Sequence, residues 1–189
     1  MPPLSTLCFA LSLLGLSWFG MMAIHEAGHA VAAVATGGRI ERVVLHPTAI
    51  SRTDVSPNPH PGLVVWAGPV VGVILPLALL SIVPRRWALT QNSAQFFAGF
   101  CLIANGAYIG LGAFSGVGDC GEMLRTGSPA WLLHLFGAIC VVAGLVLWHR
   151  LGSPRELFSP GTPIPASAAV ATALTLAVVV LAGLLWSPQ

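Results

Sequence analysis

His25-Glu26-Ala27-Gly28-His29 interrupts an apolar run that extends from about Leu4 to Thr36. At about 3.6 residues per turn, two histidines four apart fall on one face of a helix. That face can give two imidazole nitrogens to one zinc ion, with Glu26 placed to handle the proton of a reacting water. The surroundings sharpen the reading. An ionisable side chain inside a membrane span costs on the order of 2–3 kcal/mol even on the lenient insertion scale. Three such residues within one short stretch therefore point to a function rather than to packing.

Composition supports a membrane setting. Of 189 residues, 56% are hydrophobic and only 7% are charged, and the mean hydropathy is +0.85. Soluble domains carry about 25% charged residues, which excludes that class here. The chain reads as a single integral membrane domain over residues 1–189, with a core at about 20–125 and additional helices at about 130–186. A net charge of +2 gives no footprint for nucleic acid. Cys8, Cys101, Cys120 and Cys140 lie in or beside apolar stretches without CxxC spacing, so free thiols are expected. The first apolar run exceeds a signal-peptide core and is expected to be a retained span.

The order of elements follows from apolar runs and their breakers. The first span, Leu4 to Thr36, is longer than the roughly 20 residues that cross the hydrocarbon, so it must tilt or protrude. Gly37-Gly38 ends it. Arg39 to Leu45 is β-branched and partly alternating, His46-Pro47-Thr48 reads as a turn, and Ala49 to Val55 reads as a return strand. A short β-hairpin at the membrane surface is expected, with an irregular polar loop as the alternative. The Pro57–Pro61 cluster closes it. Further spans are expected at Gly62–Val83, Ala94–Phe114, Ala130–His149 and Ala166–Trp186, with a loop of about ten residues before Ala94 and a linker over Pro154–Pro165. The fold class is thus all-α and polytopic, with about five transmembrane helices and one hairpin-like segment after the first. Arg39, Arg42, Arg52 and Arg125 fall on one side of the bilayer against Arg85, Arg86, Arg150 and Arg155 on the other, so charge does not set the orientation.

A catalytic zinc takes three protein ligands and leaves one position open. Asp119, Glu122, His46, His60, His134 and Cys120 are the candidates for the third. Asp119 is favoured, because it stands at a glycine-flanked break, Ser115-Gly116-Val117-Gly118-Asp119, where unwound backbone can face a cavity. His134 is expected to pack within its helix, and His46 and His60 to be solvated. Glu122 reads as a first-turn charge of the next helix, and Cys120 as a small core residue.

These residues together resemble the site-2 protease type of intramembrane zinc metallopeptidase, in its compact form without a PDZ domain. His25, Glu26 and His29 match its HExxH motif; Gly28-His29-Ala30 and Gly37-Gly38-Arg39 fit the usual continuation. Ala67-Gly68-Pro69 resembles its glycine-proline motif, while Asn105 and Asp119 resemble the asparagine and metal-binding aspartate of its last core span. The departure is Asp119-Cys120-Gly121, where that family has Asp-Gly directly. The resemblance implies zinc held by His25, His29 and Asp119, Glu26 as proton carrier, and Asn105 assisting an oxyanion. It also implies a membrane protein substrate, such as an anti-sigma factor, cut at a transmembrane segment in a bacterial cell membrane, with the site opening toward the cytoplasm. Two rival readings use the same residues: a non-catalytic metal-binding or chaperone-like protein, and an ion transporter. Glu26 argues against the first, and the lack of an internal repeat against the second.

Overall fold

The computed structural model describes residues 3–47, 50–152 and 164–186. In chain order these form α1 (Leu4–Ala35), β1 (Ile40–Val44), β2 (Arg52–Val55), α2 (Pro61–Ile82), α3 (Ala88–Ser115), α4 (Asp119–Arg125), α5 (Ala130–His149) and α6 (Ala166–Trp186). All but α4 among the helices are long and apolar enough to cross a membrane. The protein is therefore a multi-pass integral membrane protein with a small antiparallel sheet after its first helix.

The ends of the elements have local causes. Gly37 takes a left-handed φ of 81°, which lets Gly38 N–H bond the Ala33 carbonyl at 2.7 Å and Gly37 N–H bond Val34 at 3.2 Å. This double reverse bond closes α1 where the two glycines were expected to end it. The hairpin pairs Arg42 with Asp54, Val43 with Thr53 and Val44 with Arg52, and a bulge lies between Ile40 and Arg42. The return strand is shorter than the expected Ala49–Val55. Ala49 and Thr48 of the expected turn lie outside the described residues, as does most of the expected Pro154–Pro165 linker.

One helix begins earlier than its apolar run. α3 starts at Ala88 rather than Ala94, leaving only 83–87 between α2 and α3. The polar run Thr90-Gln91-Asn92-Ser93 hides the helix from a hydropathy scan. Two side chains here return to backbone carbonyls: Ser93 Oγ to Leu89 at 2.8 Å, and, just beyond that run, Gln95 Nε2 to Leu147 on α5 at 2.8 Å.

α3 packs most extensively on α5, and α1 packs on α2 and α6. The α3–α5 seam carries polar ties within apolar packing. Trp148 stacks on Phe96 at 5.2 Å and donates its indole N–H to the Phe96 carbonyl at 2.9 Å. Val65 of α2, Ile109 of α3, Cys120 and Met123 of α4 and Leu133 of α5 form one buried cluster. That cluster fixes α4 against the ends of three spans and so places Asp119.

Candidate metal centre

His25 and His29 lie one turn apart on α1, each only 6% exposed. α3 ends at Ser115, and Gly116 and Gly118 both take a φ of 61°, turning the chain so that α4 opens on Asp119. The Asp119 amide donates to the Tyr108 hydroxyl at 3.2 Å. The carboxylate Oδ2 then lies 2.8 Å from His25 Nε2 and 3.3 Å from His29 Nε2, and the two Nε2 atoms are 3.0 Å apart. Three residues separated by up to 94 positions thus bring one ligand atom each to a common point.

The outer nitrogens show which electron pairs face that point. His25 Nδ1 lies 2.7 Å from Asn105 Oδ1, and Asn105 is oriented by its own Nδ2 donating to the Cys101 carbonyl at 2.9 Å. His29 Nδ1 lies 2.8 Å from the Val64 carbonyl. Both partners are oxygens that only accept, so each Nδ1 carries a proton and each Nε2 is the nitrogen turned toward that point. Two such nitrogens and a carboxylate oxygen at this spacing need a shared cation between them, whether protons on the imidazoles or a metal. Tetrahedral zinc with Zn–N near 2.0–2.1 Å places its ligand atoms about 3.3 Å apart, close to the spacing found here. The donor set fits zinc and leaves a fourth position free. Burial acts to raise the Asp119 carboxyl, but its contacts with His25 and His29 outweigh this and hold it below the usual carboxylate range. It therefore stays an anion.

α2 is shaped around this cluster. A methyl at Gly68 would collide with the His29 imidazole, and one at Gly72 would reach Asn105 Oδ1. The Ala67-Gly68-Pro69 motif is therefore a seat for His29, and Val64 one turn earlier orients the ring.

Glu26 is 2% exposed and stands beside the cluster without joining it. Its Oε2 accepts a 2.8 Å hydrogen bond from the Thr53 hydroxyl of β2. Cys120 turns away into the buried cluster, its Sγ 3.5 Å from the Tyr108 and Ile109 carbonyls. Burial pushes its thiol up to about 11, so it remains a neutral core residue. The extra residue between Asp119 and Gly121 is thus absorbed inward, its sulfur resting against Gly112.

The other histidines and Glu122 stand apart from the cluster. His134 packs as expected, with Nδ1 2.8 Å from the Gly110 carbonyl. Glu122 pairs with Arg125 on the first turn of α4. His60 is exposed. His46, expected to be solvated, is instead 6% exposed, and its neighbours Leu45 and Pro47 lie against Gly183 of α6. Thr53 and Tyr108 were not anticipated. Tyr108 follows Asn105 by three positions on one face of α3, a spacing that could have drawn attention to it; Thr53 carries no such mark.

Two cavities meet at the site. One, of about 560 Å³, is walled by apolar Trp18, Met21, Met22 and Ala104 and reaches His25, Glu26 and Asp119. The other, of about 860 Å³, lies under the hairpin and is lined by Glu41, Arg52, Thr53, Asp54 and Glu122, reaching His29 and Asp119. An apolar chamber and a polar chamber therefore share the metal-competent cluster as a wall.

The sequence model of the Peptidase M50B-like family matches residues 6–118. The chain belongs to that family, the site-2 protease family of membrane metallopeptidases, and no PDZ domain is found in it. The match covers His25, Glu26, His29 and Asn105 and ends one residue before Asp119. Neither a curated protein nor a solved structure matches the chain.

Proposed function

We propose that this protein is a zinc endopeptidase that hydrolyses peptide bonds within or near transmembrane segments of membrane proteins. The observation that carries the reading is the convergence of His25, His29 and Asp119 beside the buried Glu26 carboxylate, on the wall of an apolar cavity. His25, His29 and Asp119 are the residues that would hold zinc. Bound there, zinc supplies Lewis acidity that lowers the pKa of water and polarises a peptide carbonyl.

The chain's own groups account for the rest. Glu26 takes a proton from the attacking water and later delivers it to the leaving amine. Asp119, held as an anion, gives the site its charge, while Val64 and Asn105 lock the two imidazoles. Asn105 has both ends of its amide engaged, with His25 and with Cys101. It is therefore a positioning residue for His25, and the second Nδ2–H is the donor that would serve the oxyanion role expected from sequence. A helical substrate hides its peptide bonds, so it must be drawn out before attack, and the β1–β2 hairpin offers strand edges for that. The proposed substrates are membrane proteins with a transmembrane segment, anti-sigma factors among them, and the proposed setting is a bacterial cell membrane.

The test uses purified protein in detergent and a single-span model substrate. About one zinc per chain is expected under a three-ligand site. Glu26→Gln should keep the metal and abolish cleavage, and Asp119→Ala should lose the metal. Cleavage that survives Glu26→Gln sinks the reading. Zinc without turnover in the native protein would favour a binding role, and ion flux without proteolysis a transporter.

A further inference from the structure

Among the contacts around the cluster, one joins the catalytic helix to the hairpin by a single hydroxyl. Thr53 Oγ1 donates to Glu26 Oε2 at 2.8 Å and lies 3.3 Å from the Glu26 backbone carbonyl. Thr53 lines the polar cavity and Glu26 the apolar one. The hydrogen bond therefore runs through the partition between them. β2 supports this placement by alternation. Arg52 and Asp54 pair with each other on the exposed face at 3.3 Å, which leaves Thr53 between them facing α1.

The terminal torsion of a glutamate carboxylate is broad and roughly two-fold, so packing alone does not distinguish its two oxygens. Nothing else among the described contacts of Glu26 fixes which oxygen faces the cluster. We infer that Thr53 is a positioning residue for Glu26: its hydroxyl holds Oε2, leaving Oε1 as the oxygen that exchanges protons with water. The inference rests on the protease reading for its kinetic consequence, though not for the contact itself. It also makes the hairpin part of the proton-transfer machinery. Displacing β2 withdraws the hydroxyl and releases the carboxylate.

Two measurements test this on the full-length protein. In the zinc-loaded form, Thr53→Val should keep the native zinc content and KM while kcat falls about 100-fold, the scale expected for a misplaced catalytic group. Thr53→Ser keeps the hydroxyl and should restore most of the loss. In the metal-free form, thermal melting of Thr53→Val, Glu26→Ala and the double variant should be non-additive, because the two side chains share one hydrogen bond that either single change removes. Native kcat in Thr53→Val overturns the inference. So does a Thr53→Ser variant as impaired as Thr53→Val, because a retained hydroxyl would then fail to retain the function assigned to it. So do zinc loss in Thr53→Val and additive melting shifts. If the native protein cleaves nothing, the protease reading fails, and the melting cycle still judges the Thr53–Glu26 contact.

Discussion

Asn105 reaches the metal-competent cluster only through His25, yet it decides which nitrogen of that ring is bare. Removing the Oδ1 acceptor frees the ring to rotate and to carry its proton on Nε2. Asn105→Ala should therefore weaken zinc binding by about 10–100-fold, the range typical for a lost ligand-orienting partner. Competition with a chelator measures it, and Asn105→Asp, which still accepts from Nδ1, should lose less. At this scale HEAGH was legible because both histidines lie within one turn of one helix. Asp119 was legible because its glycines announce a break. Thr53 was not, since its partner lies 27 residues away on another element and a contact across elements leaves no periodicity.

The helices pack closely enough that the smallest side chains become part of the site. On α2, Gly68 and Gly72 lie where any Cβ would enter His29 or Asn105, whereas a Cβ at Gly62 would meet Thr126 at an ordinary 3.5 Å. Gly68→Ala should thus cost about 1–3 kcal/mol of stability through overpacking, and it should also strip zinc. Gly62→Ala on the same helix should do neither. Thermal melting and metal content on the two variants check the contrast. Element boundaries were readable wherever a breaker stood beside a long apolar run, as at Gly37-Gly38 and at both ends of α5 and α6. They failed at α3, whose first turns are polar. Those turns are held by side-chain bonds to backbone carbonyls, one of them on α5, which no local hydropathy window can see.

Across the whole molecule, the span that matters least for the cluster is α6, which packs on α1 and contributes no residue to it. A chain ending at residue 152 should keep the zinc stoichiometry of the native protein while melting at a lower temperature. A chain that also lacks α5 should not fold, because α3 would lose its most extensive partner and Leu133 would leave the buried cluster around Cys120. Metal analysis of the two truncations tests both statements. The sequence showed five spans but not their neighbours, because pairing between helices depends on which faces meet. Here those faces are marked by glycine and by single polar ties rather than by a polar-apolar division, since lipid accepts the same side chains as the interior.

The length of α1 bears on what becomes of a cut chain. His25 stands about 15 Å along the helix axis from Ala35 but about 32 Å from Leu4, at roughly 1.5 Å per residue. The hydrocarbon core is about 30 Å thick, so with the Ala35 end at its edge His25 lies near the middle of the bilayer. On the proposed reading, a membrane chain drawn alongside α1 is severed near its own midpoint, and each piece keeps an apolar stub well short of the roughly 20 residues that hold a helix in lipid. A single scission would then loosen both halves from the bilayer at once, so release would follow from the depth of the cutter rather than from the sequence at the cut.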